Sequence, residues 1–464
     1  MTSRLIVDVP PDFVAERAYA LSFVLRESLG LEFKTRFARP GRYEIRVEGD
    51  PRGMVVRLPD VFMARPESWL SPASLPAQPR RHVADFAFAP FIRTKPSCPV
   101  LYGADRPRDE PDAHWFPIDV VGACFFLLTR YEELVSTERD VHGRFPLPAS
   151  ALNWDGGVDL PLVDEYVRML GSVVEHLWPR INVAAGTPRI ELTHDVDAPT
   201  SSDRSPRAVA RSVLADVFVR RDTRLAIRRA RAALDARRDD FSRDPNNTFE
   251  HIFRVSERAG LRSLFFMMAA QPSKFDRGYS LEHPFMKQLL RQIVARDHQI
   301  GLHPSYHGGS TDEGVRRELG LLQRAVTAAG GKRVTAARQH YLRWNNPNTW
   351  RSYVAAGLSR DCTLTFFERA GFRCGTCREY TAFDVMARVE LPLRVSPLIM
   401  MECVPIAVEG LGLVGAADRI RGLWHVVSEY GGTLTLLWHN SELITADAKR
   451  TYEELVRSLT SARG

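Results

Sequence analysis

The chain has 464 residues, 44% apolar and 26% charged, and its 63 Lys and Arg against 56 Asp and Glu give a net charge of +7. That length predicts two or three domains and a core that needs no covalent staples. The composition excludes disordered, collagenous and disulfide-rich secreted chains, since six scattered cysteines make no disulfide framework. The positive excess alone is too small to imply a nucleic-acid or membrane partner.

The start, MTSRLIVDVPPDF, has no apolar h-region and no cleavage site. The most apolar stretch, VVGACFFLL from Val120 to Leu128, is half a bilayer span. Neither a signal peptide nor a transmembrane helix is therefore expected. The expected location is the cytoplasm, peripheral at the inner membrane face if the substrate is an envelope precursor.

Residues 1–185 read as an N-terminal accessory α/β domain. Turn signals such as Gly49-Asp50-Pro51 and Asp155-Gly156-Gly157 separate helices expected over Ala15–Gly30, Val120–Leu134 and Val163–Trp178. In the second, Val120, Val121, Cys124, Phe125, Leu128 and Tyr131 recur at helical spacing. NVAAGTP at 182–188 reads as a linker.

Residues 186–464 change to strand, loop and helix in repetition. Strands are expected at Arg189–Thr193, Leu264–Ala269, Gln299–His303, Val334–Arg338, Gly357–Asp361, Glu390–Val395 and Thr433–His439. Helices between them, such as Pro284–Arg296 and Glu313–Ala329, argue a parallel sheet. About seven units in this length favour a (β/α) barrel. A helical insertion, residues 203–245, follows the first strand and carries twelve arginines between Arg204 and Arg243. It reads either as a solvated face partly balanced by aspartates or as a contact for anionic lipid heads or a lipid-linked sugar. Nucleic acid is not expected, because few aromatics interleave for stacking.

Polar residues gather at the C-terminal ends of these strands, where a barrel carries its active site. They include Thr193-His194-Asp195-Val196-Asp197, His303-Pro304-Ser305-Tyr306-His307, Arg338-Gln339-His340-Tyr341, Asp361 and Leu437-Trp438-His439-Asn440. Two imidazoles and one carboxylate suit Zn²⁺ and leave positions for water and substrate. The His-x₃-His spacing aims both rings at one point if the segment turns helically after its strand. A second carboxylate can then act as general base and a separate histidine as general acid. Asp195 and Asp197 divide the base and ligand roles in either order, and His439 is the candidate acid. His298 and His340 read as structural or surface residues, and Cys374 and Cys377 as packed thiols. Arg373 is a candidate contact for an acidic or phosphorylated substrate.

These motifs, in this order, resemble the polysaccharide deacetylases of carbohydrate esterase family 4. The resemblance covers roughly residues 189–445 and implies a distorted (β/α) barrel that hydrolyses N- or O-acetyl groups on sugars with a divalent metal, most often Zn²⁺. It implies Asp195 as base, Asp197, His303 and His307 as metal ligands, and Arg338 as the group orienting the base. By the same resemblance the Tyr341 backbone N–H supports the oxyanion, Asp361 matches an acidic fourth motif, Leu437 and Trp438 wall the acetyl pocket, and His439 is the acid. The extra residue between Asp195 and Asp197 keeps their roles interchangeable, and His194, where the family has an aromatic, is within reach of the metal. Thr193–Asp197, Gly371–Thr376 and Trp438–Asn440 resemble a bacterial subgroup with an N-terminal domain of unknown function, often accompanying surface-polysaccharide synthesis. The expected activity is a metal-dependent deacetylase of an acetylated amino sugar or glycan. The alternatives are a small-molecule amide or cyclic-imide hydrolase on the same barrel and a catalytically silent scaffold module.

Overall fold

The computed structural model describes residues 4–37, 41–76, 91–95, 98–103, 113–201 and 206–461. The chain forms two compact units: Met1–Arg189 with Leu364–Pro397 and Val426–Thr433, and Ile190–Thr363 with Leu398–His425 and Leu434–Gly464.

In the first unit, β1 (Leu5–Val9), β2 (Phe33–Phe37), β3 (Arg42–Val47), β4 (Val56–Pro59) and β5 (His114–Trp115) form a mixed sheet in the order β2-β1-β3-β4-β5. The helix Val120–Leu128 is apolar on every side and correspondingly buried all round. Asp119 caps it, accepting from Gly122 N at 2.8 Å, Val61 N at 2.8 Å and Phe62 N at 2.9 Å. The helix does not run on to Leu134 as the periodicity predicts. Arg130 turns left-handed (φ 50°), and its buried guanidinium pairs with Glu132 at 2.6 Å and Glu133 at 2.8 Å.

The second unit is the barrel. Its strands begin with β6 (Arg189–Val196), β7 (Leu264–Met267), β8 (Gln299–Leu302), β9 (Ala336–Ala337) and β10 (Arg360–Asp361). The chain then enters the first unit as an antiparallel hairpin, β11 (Tyr380–Asp384) and β12 (Val389–Val395). It returns for β13 (Met400–Met401) and β14 (Thr433–Leu437). Seven strands in the order β10-β9-β8-β7-β6-β14-β13 make a distorted (β/α) barrel in which β9, β10 and β13 are only two residues long. Neighbouring strands from β6 to β10, and the pair β13–β14, run parallel. The strand expected at Glu390–Val395 is therefore β12 of the first unit, and the seventh barrel strand is β13.

β6 runs three residues beyond its expected end, and this decides where its side chains point. Along a strand alternate residues share a face. Thr193 and Asp195 therefore lie together, with Asp197 continuing the alternation, while His194 points away. His194 is fully buried, its Nδ1 2.6 Å from Trp438 O and its Nε2 3.2 Å from Ser263 Oγ, with its ring against Phe265. It does not reach the metal-binding side expected of it.

His298 is buried too, and its Nδ1 accepts from Ser263 N at 2.9 Å, which requires the neutral ring. Burial pulls it down to about 4. A histidine whose folded pKa lies below its free value contributes stability above pH about 6.5 that is lost as pH falls towards 4. Denaturant unfolding should show about 3 kcal/mol of this loss between those limits. His298→Asn, which keeps an acceptor but no titration, should flatten that part of the curve; an unchanged pH slope would refute the assignment.

Candidate metal centre and active site

The strand ends bring the site together. Among the described residues, Asp197, His303 and His340 offer ligand atoms all within 4.8 Å of one another. His303 Nε2 lies 3.1 Å from Asp197 Oδ1, and His340 Nε2 lies 3.7 Å from Asp197 Oδ2. His439 Nε2 approaches the same carboxylate at 3.8 Å. Ligand atoms around a tetrahedral ion with bonds of about 2.0 Å stand roughly 3.3 Å apart, so these spacings suit one. Asp197 Oδ1 is buried without a hydrogen-bond partner, which is the condition of an atom that meets a cation. An N₂O donor set of this kind fits Zn²⁺ or a similar divalent ion.

Each imidazole is fixed by its other nitrogen. His303 Nδ1 lies 2.6 Å from Arg338 O, His340 Nδ1 lies 2.8 Å from Asp276 Oδ1, and His439 Nδ1 lies 2.6 Å from Glu402 Oε1. With Nδ1–H donating to these oxygens, all three Nε2 atoms face Asp197. Asp276 is itself held, accepting from Tyr306 N at 2.8 Å and Ser273 Oγ at 2.6 Å. Burial works against ionisation of Asp197, but His303 and His340 outweigh it and hold the carboxyl well below its usual range. Burial likewise opposes the charged form of His439, and Glu402 raises it to about 10.

Asp195 sits beside this group with different partners. Arg338 Nη1 donates to Asp195 Oδ1 at 2.8 Å and to Thr193 Oγ1 at 2.9 Å, and its Nε donates to Cys362 O at 2.8 Å. The guanidinium lies 4.4 Å over the Phe266 ring and is fully buried. Asp195 Oδ2 faces His303 Nε2 at 3.7 Å. One carboxylate thus leans on an arginine and the other faces imidazoles.

His307 is exposed, its ring against Tyr306 and Phe275, and it is not in the ligand group. The segment after His303 turns only from Ser305 on, where Gly309 N donates to Ser305 O at 2.8 Å, while Glu318 holds Ser305 N at 2.8 Å and Asp276 holds Tyr306 N at 2.8 Å, and this leaves His307 outside the ligand group. His340, read from sequence as structural or surface, occupies the position expected of His307. Tyr341 lies directly beyond it in a left-handed conformation (φ 59°) that costs a non-glycine residue about 1 kcal/mol or more. Asp361 is buried and accepts from Trp350 Nε1 and Thr363 N, each at 2.9 Å, so it braces the barrel. Leu437 and Trp438 are fully buried, the indole 5.2 Å from Tyr452. Arg373 belongs to the first unit, where it pairs with Glu133 at 2.8 Å and donates to Thr365 O at 2.7 Å; that buried pairing, not substrate, uses it. Cys374 and Cys377 are buried free thiols. Asp276 and Glu402 were not read from sequence, since a carboxylate in a loop or after a two-residue strand leaves no pattern.

Comparison with known proteins follows the same division. The polysaccharide deacetylase family matches residues 239–359, and a family of unknown function (DUF7033) matches residues 5–179. The first match contains His303, His307, Arg338 and His340, while Asp195, Asp197 and His439 lie outside it. No curated protein matches the chain. A Mycobacterium smegmatis protein assigned as a polysaccharide deacetylase is 17% identical, with a TM-score of 0.40, over 61% of this chain and 86% of its own. A family 4 carbohydrate esterase from Streptomyces lividans, solved with acetate, is 12% identical, with a TM-score of 0.30, over 60% and 91%. A pseudoenzyme of that family from Bacillus anthracis is 9% identical, with a TM-score of 0.30, over 60% and 63%. The chain carries a polysaccharide deacetylase domain of the carbohydrate esterase family 4 type, preceded by a domain of a family whose function is unknown.

Proposed function

We propose that the barrel is a metal-dependent deacetylase that hydrolyses an N-acetyl or O-acetyl group on an amino sugar or glycan. The supporting observation is the convergence of three oriented imidazole Nε2 atoms on Asp197, with an arginine-held Asp195 alongside. Asp197, His303 and His340 are the ligand set, with His340 in place of His307. A divalent ion such as Zn²⁺ bound there supplies Lewis-acid polarisation of the acetyl carbonyl and acidification of water.

The chain's own groups handle the protons. Asp195 Oδ2 faces the cluster while Arg338 occupies Oδ1, so Oδ2 is the atom that accepts a proton from water. Glu402 keeps His439 protonated with Nε2–H directed into the site, which suits it to protonate the departing amine or alcohol. Thr193 and Cys362 O hold Arg338, and through it Asp195, against rotation. A place in surface-polysaccharide synthesis, within the cytoplasm, is the setting this substrate class suggests.

The test is acetate release from a panel of N- and O-acetylated amino sugars, run beside small amides and cyclic imides. Chelator treatment should abolish release and added Zn²⁺ should restore it. His303→Ala should lower the rate at least about 100-fold, as loss of a ligand exceeds loss of its supporting partner. Release that ignores both chelator and His303→Ala would overturn the reading, as would faster turnover of cyclic imides.

A further inference from the structure

The insertion after β6 takes no part in the site chemistry, yet it concentrates the charge of the whole protein. Residues 206–243 hold eleven arginines and five aspartates, a net +6 where the entire chain carries +7. Arg204 lies outside the described residues. The segment folds as two helices, Pro206–Phe218 and Thr223–Asp235, joined by a short turn. Asp216, fully buried, receives Arg220 and Arg229 at 2.7 Å each and ties the turn to the second helix.

The rest of the surface does not resemble a solvated basic helix pair. Arg207, Arg211, Leu214 and Phe218 follow at spacings of four, three and four, so they form one exposed stripe. Ile227, Ala230, Arg231 and Leu234 form the matching stripe on the second helix. The helices border an open groove of about 810 Å³, lined by Val213, Leu214, Ala230 and Leu234 together with Phe241 and His283, among others. At the turn, Phe218 is 74% and Val219 is 79% exposed, and Arg220 and Arg221 follow directly. Apolar side chains presented at a tip and along a groove, with arginines interleaved, match the boundary between anionic headgroups and acyl chains. No helix among the described residues is long and apolar enough to cross a membrane, so such a contact is peripheral.

We propose that this helical hairpin docks on an anionic phospholipid bilayer, with Phe218 and Val219 entering the headgroup boundary and the exposed arginines binding lipid phosphates. The charge balance selects this occupant over an apolar protein partner, because so dense a set of like charges needs a dense anionic surface opposite it.

The test is co-sedimentation of the full chain with vesicles of phosphatidylcholine alone or containing phosphatidylglycerol. Binding is expected only with the anionic lipid and should weaken as salt shortens the screening length. Phe218→Ser with Val219→Ser, and separately Arg221→Glu with Arg224→Glu, should each weaken it at least tenfold. Unchanged thermal midpoint and unchanged zinc content show that the variants fold. Equal binding to both vesicle types, or variants that bind as the parent does, would overturn the proposal. A salt-insensitive dimer that Phe218→Ser with Val219→Ser dissociates, with no vesicle binding, would assign the face to a second copy instead.

Discussion

His340→Ala should abolish stoichiometric metal binding and reduce acetate release at least about 100-fold, whereas His307→Ala should leave the metal content of the protein intact. The magnitude follows from what the change removes. Loss of an outer partner alone typically costs 10–100-fold in metal affinity, and His340 is a proposed ligand whose Nδ1 already has an outer partner, Asp276. His307 is exposed and outside the ligand group, so its truncation removes no ligand atom. Elemental analysis of the two purified variants separates them directly. Zinc lost from His307→Ala and kept in His340→Ala would restore the His-x₃-His assignment. Asp276→Asn, which keeps a carbonyl oxygen for His340 Nδ1–H, serves as a milder control.

That contrast also shows how far the amino-acid pattern reaches. The parallel strands were legible because β7 is an unbroken apolar run and β6 ends in charged residues, and both properties are local. The shared face of Asp195 and Asp197 follows from period two once β6 is known to run through Val196. Two things were not local. The His-x₃-His spacing specifies a common target only on a helix, and the conformation after His303 is set by Glu318 and Asp276, thirteen and thirty positions from the residues they hold. The hairpin strand Val389–Val395 carries the same apolar residues as a barrel strand, while β13 offers two residues that no periodicity can reveal. Glu402 directly follows that hidden strand, which is why the partner of His439 was invisible although His439 itself was not.

Asp195→Asn should lower kcat by about 10²–10⁴, leaving KM for the acetylated sugar and the bound zinc close to the parent values. Asparagine keeps an oxygen for Arg338 Nη1, now 2.8 Å from Asp195 Oδ1, so the fold and the ligand set are retained while the proton acceptor is lost. Asp197→Asn should act differently, because it weakens a ligand: zinc is lost and activity falls with it. Arg338→Ala gives a third pattern. Asp195 and Arg338 are both buried, and removing the arginine leaves an unpaired carboxylate in the barrel at a cost of about 3–5 kcal/mol. Unfolding midpoints, zinc stoichiometry and kcat measured on the three variants therefore assign the two aspartates independently. If Asp195→Asn loses zinc while Asp197→Asn keeps it, the base and ligand exchange places. The arginine then neutralises a ligand, and the imidazole cluster orients the base.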